Sequence, residues 1–303
     1  MLLKVTTEPT IDPDPGDGDE APLPRGGRRH PLLRSITASR AALAATAFLV
    51  TLVVIAVLAP VIGRHDPLVQ DLANAFDGTS AGHWLGTDEL GRDVFSRLAH
   101  GARVSLFAGF GSAALALVLG VLPGLVAGYV GGRVYWFLST VNDAAMALPA
   151  LILAIAVLAA LGPGIVNTVI AIAIVSAPRV FRLVRATALV VREETYAEAA
   201  RAIGLPAWRI IASHVVRNVR SPLVVFTALL MSRAILAEAS LSFIGLGVVP
   251  PEPSWGSMLA RSARYLTRDP WLIWAPGLAI ALTVLALNVL GDAMRGGAAG
   301  DRS

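Results

Sequence analysis

Long apolar runs alternate with short polar connections along this chain, a pattern that predicts helices crossing a bilayer. The hydrocarbon core of a membrane is about 30 Å thick and a helix rises about 1.5 Å per residue, so a span needs roughly 20 mostly apolar residues. Six segments fit this measure in whole or in part: 41–62, 106–130, 144–161, 165–181, 222–246 and 271–290. The first, second and last contain no charged residue. The third carries Pro149 near its start, and the fourth is uncharged as far as Pro178, with Arg179 at its edge. The fifth contains Arg233 and Glu238, which a lipid-facing helix tolerates poorly, so it is expected to face protein or water.

Composition agrees with a membrane setting. The chain is 55% hydrophobic and only 15% charged, with a mean hydropathy of +0.67, too apolar for an ordinary soluble domain. Its net charge of +4 does not point to nucleic acid, because the basic residues flank apolar runs, where positive charge sets topology. With the N-terminus inside, sixteen arginines fall on inner segments, eight of them between Arg179 and Arg220, against seven outside. This bias predicts that both termini are cytoplasmic. The absence of cysteine excludes disulfides, thiolate metal sites and a cysteine nucleophile.

Residues 1–40 are expected to form a disordered cytoplasmic tail, acidic and then basic, since Met1 to Leu23 is rich in Asp, Glu, Pro and Gly without periodicity. Residues 41–303 are expected to form one membrane domain. Its most elaborate polar segment is the cytoplasmic loop at about 182–221. There, Thr195-Tyr196-Ala197-Glu198 fits a capping box, with the Thr195 hydroxyl receiving the Glu198 N–H. A short helix would start at Tyr196 and stop at Gly204, and Pro206 suits the first turn of a second helix over about 207–216. Small residues Ala197, Ala199, Ala200 and Ala202 make the first helix slim enough to enter a groove. The residues alone leave two readings open, a solvated capped helix and a docking element.

Candidate chemistry is sparse. No Walker A pattern and no HExxH box occurs, and His30, His65, His83, His100 and His214 are scattered, so neither catalytic residues nor a metal site are expected. Asp88, Glu89, Arg92 and Asp93 lie in an outer connection, where such charges either steer a docking protein or cap helices and pair with one another. Arg233 and Glu238 are five residues apart, about 140° around a helix, so they are not expected to pair. Each needs a partner elsewhere and is a candidate for a pathway or for an interface with another chain. Trp255, Trp271 and Trp274 fit an aromatic belt.

Glu198-Ala199-Ala200, followed four residues on by Gly204, resembles the EAA loop of ATP-binding cassette (ABC) importer permeases. The stretch from Gly86 to Arg97 (GTDELGRDVFSR) and the pair LSFIGLG (Leu241 to Gly247) and PSWGSML (Pro253 to Leu259) are similar to the dipeptide/oligopeptide/nickel branch, second or "C" type. The resemblance implies an all-α, polytopic type I ABC importer permease fold with six transmembrane helices in the cell membrane. It further implies a non-catalytic subunit of a binding-protein-dependent importer. Thr195, Glu198, Ala199, Ala200 and Gly204 would form the ATPase-coupling loop, and Asp88, Glu89, Arg92 and Asp93 a docking site for the binding protein. The implied partners are a second homologous permease, two ABC ATPase subunits or domains, and an extracytoplasmic substrate-binding protein. No cofactor would be bound by this chain, ATP and Mg being used by the ATPases. Peptides are the first expected substrate, with nickel or another small solute as the alternative. A secondary transporter independent of ATPases is the competing class, and it is disfavoured because the two halves share no visible pattern. One departure stands out: the family shows Ile-Leu-Pro-Asn where this chain has Val215-Val216-Arg217-Asn218, and Pro222 is expected to start the fifth span instead.

Overall fold

The computed structural model describes residues 39–299, with side chains to Arg295, so nearly all of the expected tail lies outside the described residues. Among these residues the chain is helical, with no strand beyond one isolated bridge between Thr87 and Asp93.

Helix α1 (Arg40–Ile62) is capped by Ser39, whose hydroxyl accepts the Ala42 N–H at 3.4 Å. It contributes few buried residues, and Val50, Val57 and Val61 stand exposed on its flank, as a lipid-facing helix requires. Helix α2 (Val94–Val130) begins twelve residues before the expected span, because the Asp93 carboxylate accepts the Ser96 N–H at 2.7 Å and caps it. At 37 residues it is about 55 Å long, more than a bilayer needs. Its first turns therefore lie within folded protein, where Ser96, Arg97 and Ser105 are buried.

The third expected span, 144–161, is not one helix. Helices α3 (Gly132–Ala147) and α4 (Ala150–Leu161) meet at 95°. Pro149 lacks an N–H and forces Leu148 into an extended conformation (φ −91°, ψ 140°), which breaks the helix. The twelve residues of α4 span only about 18 Å, too short to cross a bilayer alone. The fourth expected span lies within α5 (Ile165–Glu193), which runs twelve residues past Phe181 and carries Arg179, Arg182, Arg185 and Arg192. Among the described residues, four helices are long and apolar enough to cross a membrane, or five if the bent α3–α4 pair counts as one. The expected count of six is thus not reproduced, the shortfall falling on the kinked third segment and the arginine-bearing fourth.

Helix α6 (Thr195–Ala202) follows α5 after a single non-helical residue. Helix α7 then runs as one unit over Ala207–Phe243, with a π-helical turn at Ile211–Val215. Pro222 sits inside it and is not its starter. The expected second loop helix and fifth span are therefore one element, which runs through Arg217 without a break. Helices α8 (Trp255–Ala263), held by a Ser254–Ser257 capping box, and α9 (Trp271–Ala299) complete the fold.

The most extensive packing joins α2 to α5. It rests on Ala116, Gly120, Gly124 and Gly128, which recur every fourth residue on one face of α2. A Cβ at Gly120 would lie 2.6 Å from the Val180 Cβ and 2.7 Å from the Ala177 carbonyl. One at Gly128 would lie 2.6 Å from the Ala188 Cβ. These backbones approach so closely that only glycine fits, the small-xxx-small device by which membrane helices gain dispersion contacts without a hydrophobic driving force.

Candidate functional site

The segment from Glu193 to Pro222 forms a helix, a turn and a second helix, as its sequence predicts, but not with the predicted cap. Thr195 is already helical, and Glu194 is the extended N-cap residue (φ −72°, ψ 144°), its carbonyl receiving the N–H groups of Ala197 and Glu198 at 2.9 and 3.1 Å. The capping box around Thr195 is not formed. With only one residue between α5 and α6, Thr195 has no room for the extended backbone that an N-cap requires.

Gly204 acts as expected. Its φ of +76° ends α6 in a Schellman motif: the Leu205 N–H donates to the Ala200 carbonyl at 3.1 Å and the Gly204 N–H to that of Arg201 at 2.9 Å. The EAA triplet divides between two faces. Ala197 and Ala200 are buried, Ala200 against the core that contains Val191, Ile210 and Val215, whereas Glu198 and Ala199 face outward. Expectation placed all three residues of the triplet on the docking surface; Ala200 instead fastens the loop to the membrane domain. Two residues the sequence reading missed complete the outward face. Ile203 is 77% exposed and Trp208 is 65% exposed, flanking the Gly204–Pro206 turn. Bulky apolar residues bracketing a Gly-x-Pro turn in an otherwise polar loop were the available signal.

Side-chain contacts tie α6 to both long helices around it. The Tyr196 ring stacks on His214 at 5.5 Å, and Asn218 donates to the Tyr196 hydroxyl at 3.3 Å, linking α6 to α7. Arg201 donates to the Arg192 carbonyl at 2.9 Å, linking it to α5. The exposed tip is thus fastened to two long helices.

At the opposite end of α2, Asp88, Glu89, Arg92 and Asp93 are brought together, mostly facing inward. Arg92 pairs with Asp88 at 2.7 Å and with Glu89 at 3.1 Å. Arg97 approaches Asp88 at 3.4 Å and donates to the Pro67 carbonyl at 2.8 Å. Arg261 reaches Glu89 at 3.5 Å, tying α8 into the network. Arg92, Asp93 and Arg97 are almost fully buried, so their charges hold the connection between α1 and α2 in shape. The fold also brings His65 and His83, far apart in the sequence reading, into a stack at 4.6 Å beside Asp93.

Arg233 and Glu238 do not meet. Glu238 is wholly buried and accepts hydrogen bonds from Ser242 at 2.7 Å and from Ser105 on α2 at 3.1 Å. Ser105 in turn accepts the Trp255 N–H at 3.3 Å, so α2, α7 and α8 meet at one polar junction. Trp255 is therefore a core residue, its indole N–H donating to the Leu98 carbonyl at 3.1 Å, whereas Trp271 and Trp274 are exposed as a belt requires. Arg233 is exposed on α7.

These helices and this loop define a polytopic membrane transport component. Residues 116–297 match the family of binding-protein-dependent transport system inner membrane components, and the chain belongs to that family. It is 42% identical over 268 residues to the di/tripeptide transport system permease protein DppC of Pseudomonas aeruginosa (strain UCBPP-PA14), covering 86% of this chain and 88% of the relative. It is also 42% identical over 260 residues to the glutathione transport system permease protein GsiD of Pectobacterium atrosepticum, covering 84% and 85%. Among solved structures it is similar to a chain of the MetNI methionine ABC transporter in inward-facing conformations, with a TM-score of 0.54 at 17% identity, covering 66% of this chain and 96% of that one. The likeness establishes the ABC importer permease fold. The protein is a multi-pass, non-catalytic permease subunit of a binding-protein-dependent importer.

Proposed function

We propose that this chain imports peptides and is driven through the tip of α6 by partner ATPases. The observation that carries the coupling role is the exposed face of Glu198, Ala199, Ile203 and Trp208 around a rigid Schellman turn. Exposed apolar side chains on a short, well-fastened element mark a protein interface. An ATPase cleft closing on this tip moves it as a unit. Tyr196 and Arg201 pass the motion to α7 and α5, and α5 carries α2 through the glycine seam. With a second homologous permease completing the pathway, this motion opens the route to one side of the membrane at a time. The ATPases supply ATP and Mg chemistry, and an extracytoplasmic binding protein delivers the substrate against the surface shaped by Asp88, Glu89, Arg92 and Asp93. The arginine-rich loop between Arg179 and Arg220 supports a topology with both termini in the cytoplasm.

Peptide as cargo rests on relatives named for di/tripeptide, dipeptide and glutathione transport. Co-purification tests the coupling: ATPase subunits remain bound to the wild type and are lost from Glu198→Trp and Ile203→Asp. Equal retention by these variants sinks the coupling role, and no ATPase with the wild type favours an ATP-independent transporter. Cells lacking this chain are expected to lose uptake of labelled dipeptide. Loss of nickel uptake alone would reassign the cargo.

A further inference from the structure

We propose that His65, His83 and Asp93 form a binding site for a borderline divalent transition-metal ion, fastening the connection between α1 and α2 to the head of α2. One ligand atom from each residue lies within 4.8 Å of the others. His83 Nδ1 and Asp93 Oδ1 are already 3.0 Å apart, close to the separation of about 3.3 Å between two ligands on a tetrahedral ion with bonds near 2.0–2.1 Å. An ion entering between them takes the Nδ1 lone pair of the tautomer protonated at Nε2, so binding there requires no net loss of a proton from a neutral ring. His65, exposed at the edge, closes the third position by a side-chain adjustment, and water completes the coordination.

Contacts outside the three ligand atoms hold each ligand-bearing segment in place, which is what makes this a built site and not a chance meeting of loops. Asp93 has its second oxygen fixed by the Ser96 N–H at 2.7 Å, which turns Oδ1 toward His83. The His83 backbone is held on both sides, its N–H donating to the Ser80 hydroxyl at 3.0 Å and its carbonyl receiving the Ser80 N–H at 2.8 Å. Beside His65, Arg64 lies over the Trp84 ring at 4.5 Å and donates to the Ala81 carbonyl at 3.1 Å. Trp84 packs on Phe95, next to the cap, at 5.0 Å. The two imidazoles are thus held in register by their sequence neighbours, and an ion would gain affinity from this preorganisation. Two imidazoles and one carboxylate suit zinc, nickel or copper and not magnesium or calcium, which prefer all-oxygen shells. The site lies at the end of α2 opposite α6, and its existence does not depend on the cargo proposed above.

The test uses the full chain with its partner subunits in detergent, purified on a tag without histidine and titrated calorimetrically with zinc chloride. Binding of about one equivalent is expected, with a rise in melting temperature that magnesium chloride does not produce. His65→Ala, an exposed change that leaves folding intact, is expected to weaken zinc binding at least tenfold, as is His83→Ala. Asp93→Asn keeps the helix cap and is expected to weaken binding as well. Absence of zinc binding to the wild type, or affinity unchanged within twofold in both His65→Ala and Asp93→Asn, overturns the proposal.

Discussion

The Ser105 hydroxyl donates to the Glu238 carboxylate at 3.1 Å, joining α2 to α7 across 133 residues of sequence inside the membrane domain. Glu238 also accepts from Ser242, so its two oxygens satisfy two buried hydroxyls. Glu238→Ala would leave both hydroxyl protons without their acceptor and is expected to cost about 2–4 kcal/mol. Glu238→Gln keeps polar partners for both and is expected to stay within about 1 kcal/mol of the wild type. Thermal unfolding of the detergent-purified protein separates them: a large drop for alanine and little change for glutamine. Equal drops would mean that the charge itself is required.

The glycine seam between α2 and α5 makes a sharper steric prediction. At Gly124 an added Cβ would sit 2.9 Å from the Val184 Cβ and 3.0 Å from the Phe181 carbonyl. Gly124→Val is therefore expected to cost about 1–3 kcal/mol or more through overpacking. Gly277, where an added Cβ meets nothing closer than 3.8 Å, is expected to accept alanine without loss. Yield of monodisperse protein and melting temperature compare the two.

Around the outer network, removing one charge strands others. Asp88→Ala takes the nearer of two carboxylate partners from Arg92, which is 2% exposed, and the nearest carboxylate from Arg97, which is 1% exposed. Destabilisation of about 3–5 kcal/mol is expected, as when a buried pair loses one member. Arg295→Ala, at an exposed pair with Asp292, is expected to change stability by less than about 1 kcal/mol. Comparable effects at the two sites would show that the outer network does not hold the loop.

Gly204 tests the turn in isolation. Nothing lies within 4 Å of an added Cβ there, so Gly204→Ala acts through backbone strain alone. That strain costs about 1–2 kcal/mol in the left-handed region. Transport is expected to fall several-fold for alanine, with little shift in global melting. Gly204→Asn, which tolerates this conformation, should retain most activity.

Much of this architecture could be read in the sequence, and the exceptions have physical causes. Uncharged runs such as 41–62 and 271–290 declare themselves because length and hydropathy alone decide a span. Pro149 could be seen, but whether it kinks a span or breaks one depends on what packs around it, and here it turns the chain by 95°. Thr195 misled because a capping box is a local pattern, whereas the space left after α5 is a tertiary fact. Ala200 and Ala199 are identical in sequence, yet one is buried and the other exposed; only the docking angle of α6 distinguishes them. The His65–His83–Asp93 cluster was invisible for a similar reason, since its members are joined by the path of a loop without periodicity.

The central claim, that the tip of α6 seats in an ATPase subunit, is tested most directly by site-specific crosslinking. The chain contains no cysteine, so Ala199→Cys introduces its sole thiol. In membranes containing the assembled transporter, a short thiol-to-amine crosslinker is expected to join Ala199→Cys to an ATPase subunit. Val57→Cys, 67% exposed on the flank of α1, should give no such product. No ATPase adduct from Ala199→Cys, or an equal yield from Val57→Cys, would contradict the account.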